Sequence, residues 1–249
     1  MTGSTVVVTG SSGGIGAATC RRLRAAGWHV VGLDVAPAPA DSDWVTLPTD
    51  LARPGAAREA IRALLGRGAT PPVAGVVHAA AVQVVAPAGG VAPEDWIRTL
   101  QVNLVALDEI VAEVRGELRE SFGAVVAVGS VHARATTPGI AAYASSKAAL
   151  CGWVRAAALD LAPEVRVNAV LPGATDTPML RAGLVRRPED GDEETAMAVL
   201  AAKVPARTVA DPDDVARAIG FLLDRASSAY ITGAELLVDG GVLAKLSSE

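Results

Sequence analysis

The sequence has few aromatic side chains, and this shortage limits the kind of core that it can build. Aromatic residues make up 3% of the 249 residues, whereas 51% are hydrophobic. The core must therefore consist mainly of Val, Leu, Ile and Ala, which suits helices packed closely on a parallel sheet. A chain with so many apolar residues is expected to be folded, not mainly disordered. Its length predicts a single domain over residues 1–249.

Cysteine and histidine are also scarce, which argues against a metal centre or a disulfide framework. The two cysteines, Cys20 and Cys151, lie far apart in helix-like segments, a pattern typical of reduced thiols in the cytoplasm. The three histidines lack the spacing of metal ligands. No basic leader precedes the first strand-like run. We therefore expect no metal and a cytoplasmic location.

Clusters of basic residues are missing as well. The net charge is −5 and the isoelectric point is about 5.3, with arginines scattered along the chain. Such a chain lacks the electrostatic footprint of a nucleic-acid-binding or membrane-surface protein. The longest stretch without formal charge, residues 69–93, contains four prolines and is not expected to span a membrane. We therefore expect neither nucleic acid nor membrane as a partner.

Strand-like and helix-like segments alternate along the chain. Apolar runs predict strands over 5–9, 28–34, 44–47, 72–78, 123–128, 165–170 and 235–238. Helices are predicted over 14–26, 54–66, 93–119, 140–161 and 212–224. This order indicates a Rossmann-type α/β fold: a doubly wound parallel sheet of about seven strands with helices on both faces. Ligands of such sheets bind at the carboxyl ends of the strands.

A glycine-rich turn, Thr9 to Gly16 (TGSSGGIG), follows the first strand. A helix N-terminus attracts anions, and glycines let the backbone approach a ligand closely, so the turn predicts a pyrophosphate site. Its spacing is GxxxGxG, whereas the common dinucleotide motif is GxGxxG. The same residues match the G-x-S-x-G elbow of hydrolases. That reading fails because the last histidine is His132, which leaves no C-terminal base for a triad.

An acidic residue, Asp34, ends the second predicted strand, 18 residues after Gly16. A carboxylate at this place accepts hydrogen bonds from the adenosine ribose hydroxyls and repels a 2′-phosphate. Gly13 occupies the turn position where a basic residue could have met that phosphate. The sequence therefore favours NAD(H) over NADP(H).

Tyr143 and Lys147 share one face of a predicted helix, four residues apart. The chain contains only two tyrosines and three lysines against nineteen arginines, which argues against coincidence. A nearby ammonium favours the phenolate and lowers the pKa of a tyrosine. The pair therefore predicts a general acid/base.

Two further polar residues are candidates for the same site. Ser130 ends the fifth predicted strand, thirteen residues before Tyr143, where its hydroxyl can hold a substrate oxygen. Asn103 lies inside the predicted helix 93–119, where Asn is unfavourable unless its amide has a partner. Taken alone, Asn103 is more simply a structural residue.

On these motifs the chain resembles the short-chain dehydrogenase/reductase family over almost its whole length. The turn matches TGxxxGxG, Pro172 to Thr177 matches the PGxxxT segment, and residues 231–241 resemble the common C-terminal pattern. The catalytic tetrad aligns with Asn103, Ser130, Tyr143 and Lys147. The resemblance implies cofactor contacts from Gly10, Ser12, Gly13, Ile15, Gly16, Asp34, Asp50, Leu51, His78, Ala79, Ala80, Ala81, Tyr143, Lys147, Pro172, Gly173, Thr175 and Thr177.

One segment departs from the family pattern. The family usually has NNAG after the fourth strand, and this chain has His78, Ala79, Ala80 and Ala81. The Asn side chains that brace the sheet are lost, and Ala81 has less backbone freedom than Gly. We expect an altered brace with cofactor binding retained.

The resemblance implies an oxidoreductase that interconverts secondary alcohols and ketones. Ser130 and Tyr143 would hold the substrate oxygen, and Tyr143 would exchange its proton while hydride passes to NAD. Lys147 would lower the pKa of Tyr143 and bind the nicotinamide ribose, and Asn103 would support a water that relays the proton. Family members are mostly homotetramers that pack through the two long helices and the C-terminal strand, so we expect a tetramer.

The substrate itself is not defined by these motifs. We expect substrate contacts from Ser130, His132, Tyr143 and Met179, and a lid over about 178–205 in which the acidic run Glu189 to Glu194 is a solvated turn. Two alternatives stay open: an NADPH-dependent biosynthetic ketoreductase, and a non-enzymatic dinucleotide sensor on the same fold. A measured preference between NAD and NADP tests the first alternative. A measurement of catalytic turnover tests the second.

Overall fold

The computed structural model describes residues 3–66, 68, 70–184 and 192–245. Its strands are β1 (Thr5–Thr9), β2 (His29–Asp34), β3 (Val45–Pro48), β4 (Val73–His78), β5 (Ala124–Val128), β6 (Arg166–Pro172) and β7 (Glu235–Val238). They form one seven-stranded parallel sheet in the order β3-β2-β1-β4-β5-β6-β7. The strand order reverses direction between β1 and β4, which confirms the predicted doubly wound Rossmann-type fold.

Helices cover both faces of the sheet. They are α1 (Gly14–Ala25), α2 (Ala56–Gly66), α3 (Pro93–Leu100), α4 (Ala106–Glu120), α5 (Ala141–Leu161), α6 (Pro178–Leu184), α7 (Glu193–Lys203), α8 (Pro212–Leu223) and α9 (Arg225–Ser228). One core lies under α2, α4 and α5, and a second lies under α1 and α8. The central strands β1, β4, β5 and β6 are buried along their whole length, as aliphatic strands covered on both faces must be.

The prediction of one uninterrupted helix over 93–119 is wrong. The helix is divided into α3 and α4 by a π-helical turn, Gln101–Val105, which contains Asn103. A π turn holds one extra residue, and the hydrophobic period does not register so local an insertion. The turn lies beside the carboxyl edge of the sheet, so it affects the geometry of the site.

The predicted lid over 178–205 contains two short helices, α6 and α7, in its described part. Of the acidic run predicted as a solvated turn, residues 189–191 lie outside the described residues. Glu193 and Glu194 begin α7, and Asp192 caps that helix by accepting a hydrogen bond from the Thr195 N–H at 2.8 Å. That part of the prediction is wrong. Within the described ranges, no helix combines the length and apolarity needed to cross a membrane.

Candidate active site

A cleft of about 980 Å³ opens along the carboxyl edge of the sheet. All but two of the residues predicted from the sequence line it. They are Gly10, Ser12, Gly13, Ile15, Gly16, Asp34, Asp50, Leu51, Ala79, Ala80, Ala81, Ser130, His132, Tyr143, Lys147, Pro172, Gly173, Thr175, Thr177 and Met179. Asn103 and His78 do not line the cleft; both are completely buried behind it.

The glycine turn forms a cradle at the start of α1. Gly10 has a φ of +66°, a conformation that favours glycine, and its carbonyl accepts a hydrogen bond from the Gly13 N–H at 3.0 Å. A Cβ atom on Gly16 would lie 1.9 Å from the Gly10 carbonyl oxygen, so only glycine fits there. The bare turn and the N-terminus of α1 fit a pyrophosphate.

Asp34 holds the glycine turn to the end of β2. Its carboxylate accepts one hydrogen bond from the Ser12 N–H and another from the Ala36 N–H, each at 2.9 Å. These two donors fix the carboxylate at the wall of the cleft and leave lone pairs on both oxygens. Asp50 also lines this part of the cleft, near the glycine turn and the ends of β2 and β3. No described Lys or Arg lines it there.

The PGxxxT segment closes the cleft at the end of β6. Thr177 faces Gly14, where a Cβ atom would lie 2.7 Å from the Thr177 methyl group. Gly173 packs against Asp239, whose Cα would be 2.9 Å from an added Cβ. The main-chain N–H of Leu180 donates to the Thr177 hydroxyl at 3.3 Å. Close backbone contacts therefore fix this segment opposite the glycine turn.

Ser130, Tyr143 and Lys147 come together where β5 meets α5. Ser130 lies two residues after β5, and its hydroxyl is beside the Tyr143 phenol. The Lys147 ammonium lies 5.7 Å from the centroid of the Tyr143 ring and donates a hydrogen bond to the Val128 carbonyl at 2.7 Å. All three side chains are buried to at least nine-tenths, and all three line the cleft.

The pKa of Tyr143 shifts in the direction opposite to the one predicted from the sequence. Burial raises it, and the Ser130 hydroxyl lowers it by less. The Lys147 ammonium is itself buried, which lowers the pKa of Lys147 to about 8. Desolvation of the phenol therefore outweighs the hydrogen bond with Ser130, and Tyr143 holds its proton at neutral pH.

The side-chain amide of Asn103 is held by protein groups, and its support of a water stays a prediction. Its Oδ1 accepts from the Val82 N–H at 2.8 Å, and its Nδ2 donates to the Val82 carbonyl at 3.0 Å and to Ser146 Oγ at 2.9 Å. Ser146 in turn donates to the Tyr143 carbonyl at 2.7 Å. All hydrogen atoms of the amide are used, so Asn103 links the π turn to the catalytic helix as a positioning residue.

His78 replaces the lost Asn brace, and its predicted cofactor contact is not formed by the side chain. Its Nδ1 lies 2.9 Å from Thr9 Oγ1, which also accepts from the Ala80 N–H at 3.1 Å. We assign the proton of the neutral ring to Nε2, with Nδ1 accepting from the Thr9 hydroxyl. That nitrogen faces the main chain of Val102 and Asn103 without a well-formed hydrogen bond to any described residue. The histidine thus lies between β1 and the π turn.

Burial gives His78 a measurable effect on stability. Desolvation, with the Lys147 charge as the second cause, lowers the pKa of His78 to about 3. An unfolded histidine takes up a proton near pH 6.5, so stability is fully present above that pH and is lost as the pH falls toward 3. We expect the free energy of unfolding, measured with urea, to fall between pH 7 and pH 5 by about 2 kcal/mol more in the wild type than in His78→Asn.

The half-buried His29, at the start of β2, supplies the matched substitution for this measurement. His29→Asn should retain the pH dependence of the wild type. An identical pH dependence in the wild type and His78→Asn would contradict a neutral, buried His78.

The remaining histidine borders the reacting groups. The rings of His132 and Tyr143 are 6.0 Å apart in an edge-on arrangement, and His132 Nδ1 lies 3.1 Å from the Thr136 hydroxyl. Burial lowers the pKa of His132, which favours the neutral ring. Gln83, Arg98 and Lys203 also line the cleft and were not predicted from the sequence. They belong to no motif, and only the folded chain brings them to the site.

Comparisons with known proteins agree with this geometry. The family model described as enoyl-(acyl carrier protein) reductase matches residues 10–243. The chain is 34% identical over 252 residues to the protein FixR of Bradyrhizobium diazoefficiens, which covers 95% of this chain and 85% of that protein. It is 33% identical over 258 residues to 3beta-hydroxysteroid dehydrogenase 1 of Eggerthella lenta, and the alignment covers 96% of this chain and 94% of that protein. The structure of the ligand-free aldohexose dehydrogenase of Thermoplasma acidophilum superposes with a TM-score of 0.93 at 27% identity. The superposition covers 99% of this chain and 96% of that one.

Proposed function

The chain belongs to the short-chain dehydrogenase/reductase family, and we propose that it is an NAD(H)-dependent oxidoreductase that interconverts secondary alcohols and ketones. The observation that carries this proposal is the convergence of Ser130, Tyr143 and Lys147 on one wall of the cleft, beside the glycine cradle. A hydroxysteroid dehydrogenase and an aldohexose dehydrogenase among the relatives support a substrate with a carbinol carbon.

The residues of the cleft fit a nicotinamide dinucleotide. The glycine turn would hold its pyrophosphate at the start of α1, and Asp34 would accept hydrogen bonds from the adenosine ribose. Pro172, Gly173 and Thr175 would border the nicotinamide end, at the carboxyl end of β6. When bound, the nicotinamide supplies the hydride chemistry, as acceptor or donor at the substrate carbon.

The protein's own groups handle the substrate oxygen and its proton. Ser130 Oγ and the Tyr143 hydroxyl are placed to hold that oxygen by two hydrogen bonds. The Tyr143 phenol is protonated at neutral pH, and burial raises its pKa further, so Tyr143 is ready to donate its proton to a ketone oxygen. In the oxidation direction Tyr143 must first lose that proton, so alcohol oxidation should become faster as the pH rises. The Lys147 ammonium stabilises the phenolate that forms in either direction.

The preference for NAD(H) follows from charge at the adenosine end. A 2′-phosphate placed near Asp34 would meet a fixed carboxylate, and no described lining residue at that end supplies a compensating cation. Phosphate groups are bound by Arg, Lys or free backbone donors. Here the N–H groups of Ser12 and Ala36 already bind the carboxylate.

The experiment that tests this function is a comparison of NAD and NADP across a panel of secondary alcohols. We expect turnover with NAD, and we expect Asp34→Ser to lower the NAD/NADP ratio of kcat/KM by at least about tenfold, since one charge repulsion is removed. Asp43→Ser is the matched control, because Asp43 pairs with Arg24 and does not line the cleft.

Each alternative has its own outcome in this experiment. A wild type that prefers NADP would contradict the role given to Asp34 and favour a reductase that uses NADPH. Cofactor binding without turnover of any alcohol or ketone would favour a dinucleotide sensor.

We also propose that the chain is cytoplasmic and forms a homotetramer. Large apolar side chains on the outer surfaces of α5 and β7 support the assembly: Leu159 is 80% exposed and Leu237 is 44% exposed. Apolar groups exposed on an edge strand and on a long helix suit contacts between copies of a chain. A monomeric mass in light scattering would contradict the tetramer.

A further inference from the structure

The two ends of the cleft differ in charge. Near the glycine turn, the titratable lining side chains are Asp34 and Asp50. The lining residues that α3, α6 and α7 contribute include Arg98 and Lys203 and, among the described residues, no carboxylate. A wall with two cations and no acid creates a positive local potential, even in a chain whose net charge is −5.

Neither cation is neutralised within the part of the chain that the structure describes. Arg98 and Lys203 are exposed, and no ion pair or side-chain hydrogen bond to a described residue involves them. Arg181, on α6, shows the contrast: it pairs with both Asp176 and Glu193 and does not line the cleft. The cations that face the cleft are therefore the ones with charge available to a ligand.

The position of Arg98 relates it to the reacting groups. It lies one helical turn before Val102, which also lines the cleft and adjoins Asn103. Helix α3 packs against α5, the helix that carries Tyr143. The segment that follows β4 runs beside the residues that precede Tyr143, because the Ala86 N–H donates to the Gly139 carbonyl at 2.8 Å. Arg98 thus borders the same space as the phenol.

The wall between these polar groups is apolar. Val82, Val85, Val102, Ile140, Met179 and Leu200 line this part of the cleft. Such a surface favours a hydrocarbon body, because each buried apolar group of a ligand is removed from water. The lining therefore combines three features: a proton donor for the reacting oxygen, an apolar middle, and a cationic rim.

We propose that the substrate is an anionic secondary alcohol or ketone. Its reacting carbon lies at Tyr143, its apolar body contacts the aliphatic wall, and a carboxylate or phosphate group remote from that carbon binds Arg98 and Lys203. This inference rests on the proposed function and narrows its substrate class.

The test uses substrates matched in shape and different in charge. Initial rates are measured for 4-hydroxypentanoate and 3-hydroxycyclohexanecarboxylate, for the methyl ester of each, and for 4-hydroxypentanoyl-CoA, in which the anionic groups are phosphates. We expect the wild type to prefer an anionic substrate over its ester. Arg98→Gln/Lys203→Gln should lower kcat/KM for that substrate by at least about tenfold, mainly through KM, since charge-assisted hydrogen bonds are lost.

The control variant is Arg21→Gln/Arg115→Gln, which changes the net charge equally at two exposed arginines outside the cleft. It should leave the preference for the anionic substrate unchanged. Whether the acid or the thioester responds identifies a carboxylate or a phosphate as the bound group. Turnover of esters and neutral alcohols without preference for an anion overturns this inference and leaves the proposed function standing. Equal losses in both double variants also overturn it, and no turnover of any substrate overturns both.

Discussion

Replacement of Tyr143 by Phe is expected to lower kcat by about 10²–10⁴-fold, the usual contribution of a positioned general acid or base. The phenol of Tyr143 lies beside Ser130 in the cleft and is protonated at neutral pH, so it can supply a proton to a substrate oxygen held there. Phe fills the same space without a hydroxyl, so the packing of α5 should persist. The measurement is single-turnover ketone reduction with NADH.

The chain supplies a matched control for this substitution. Its second tyrosine, Tyr230, is fully exposed and does not line the cleft. Tyr230→Phe should keep the rate of the wild type. Single turnover at saturating NADH separates the loss of proton transfer in Tyr143→Phe from any change in cofactor affinity. A Tyr143→Phe protein that retains more than about a tenth of the wild-type rate would falsify the assignment of Tyr143 as the proton donor.

Substitution of Gly16 by Ala is expected to have the second large effect, on cofactor binding. The added Cβ would lie 1.9 Å from the Gly10 carbonyl oxygen and 2.6 Å from the carbonyl carbon, so the turn must open. Overpacking of this kind costs about 1–3 kcal/mol of stability. A displacement of about 1 Å in a binding turn can cost about 100-fold in function, so we expect the Kd of NADH to rise by a factor of that order. Fluorescence titration with NADH measures it.

A second glycine separates the steric effect from the general effect of adding a methyl group. Gly116 lies in α4, and a Cβ atom there would meet no atom within 4 Å. Gly116→Ala should raise stability by up to about 1 kcal/mol, because Ala is the better helix former. The Kd of NADH should not change. If Gly16→Ala binds NADH as tightly as Gly116→Ala does, the turn does not hold the pyrophosphate.

The parallel sheet and the position of its cleft follow from local sequence. Aliphatic strands separated by helices require a parallel sheet covered on both faces, and such a sheet binds ligands at the carboxyl ends of its strands. The glycine turn, Asp34 and the Tyr143–Lys147 pair were recognisable because the relevant residues lie close together along the chain. Their chemistry depends on short-range spacing, which a sequence displays directly.

Three features depended on contacts between distant segments. Asn103 bonds Val82 and Ser146, which lie 21 and 43 residues away. The π turn that carries Asn103 interrupts a helix that was predicted to be continuous. His78 was predicted to contact the cofactor, and its side chain instead binds Thr9, 69 residues away, behind the cleft. A local pattern contains no information about such partners.

The sequence by itself therefore determined the fold and the family, and it predicted the cofactor cradle and the acid/base pair on which the proposed function rests. Only the tertiary structure decided the direction in which the pKa of Tyr143 shifts, since that pKa depends on how completely the surrounding chain removes water from the phenol. The tertiary structure also brought Arg98 and Lys203 to the lining of the cleft. Desolvation and the summed field of distant charges are properties of the folded arrangement, because both depend on what surrounds a group in space.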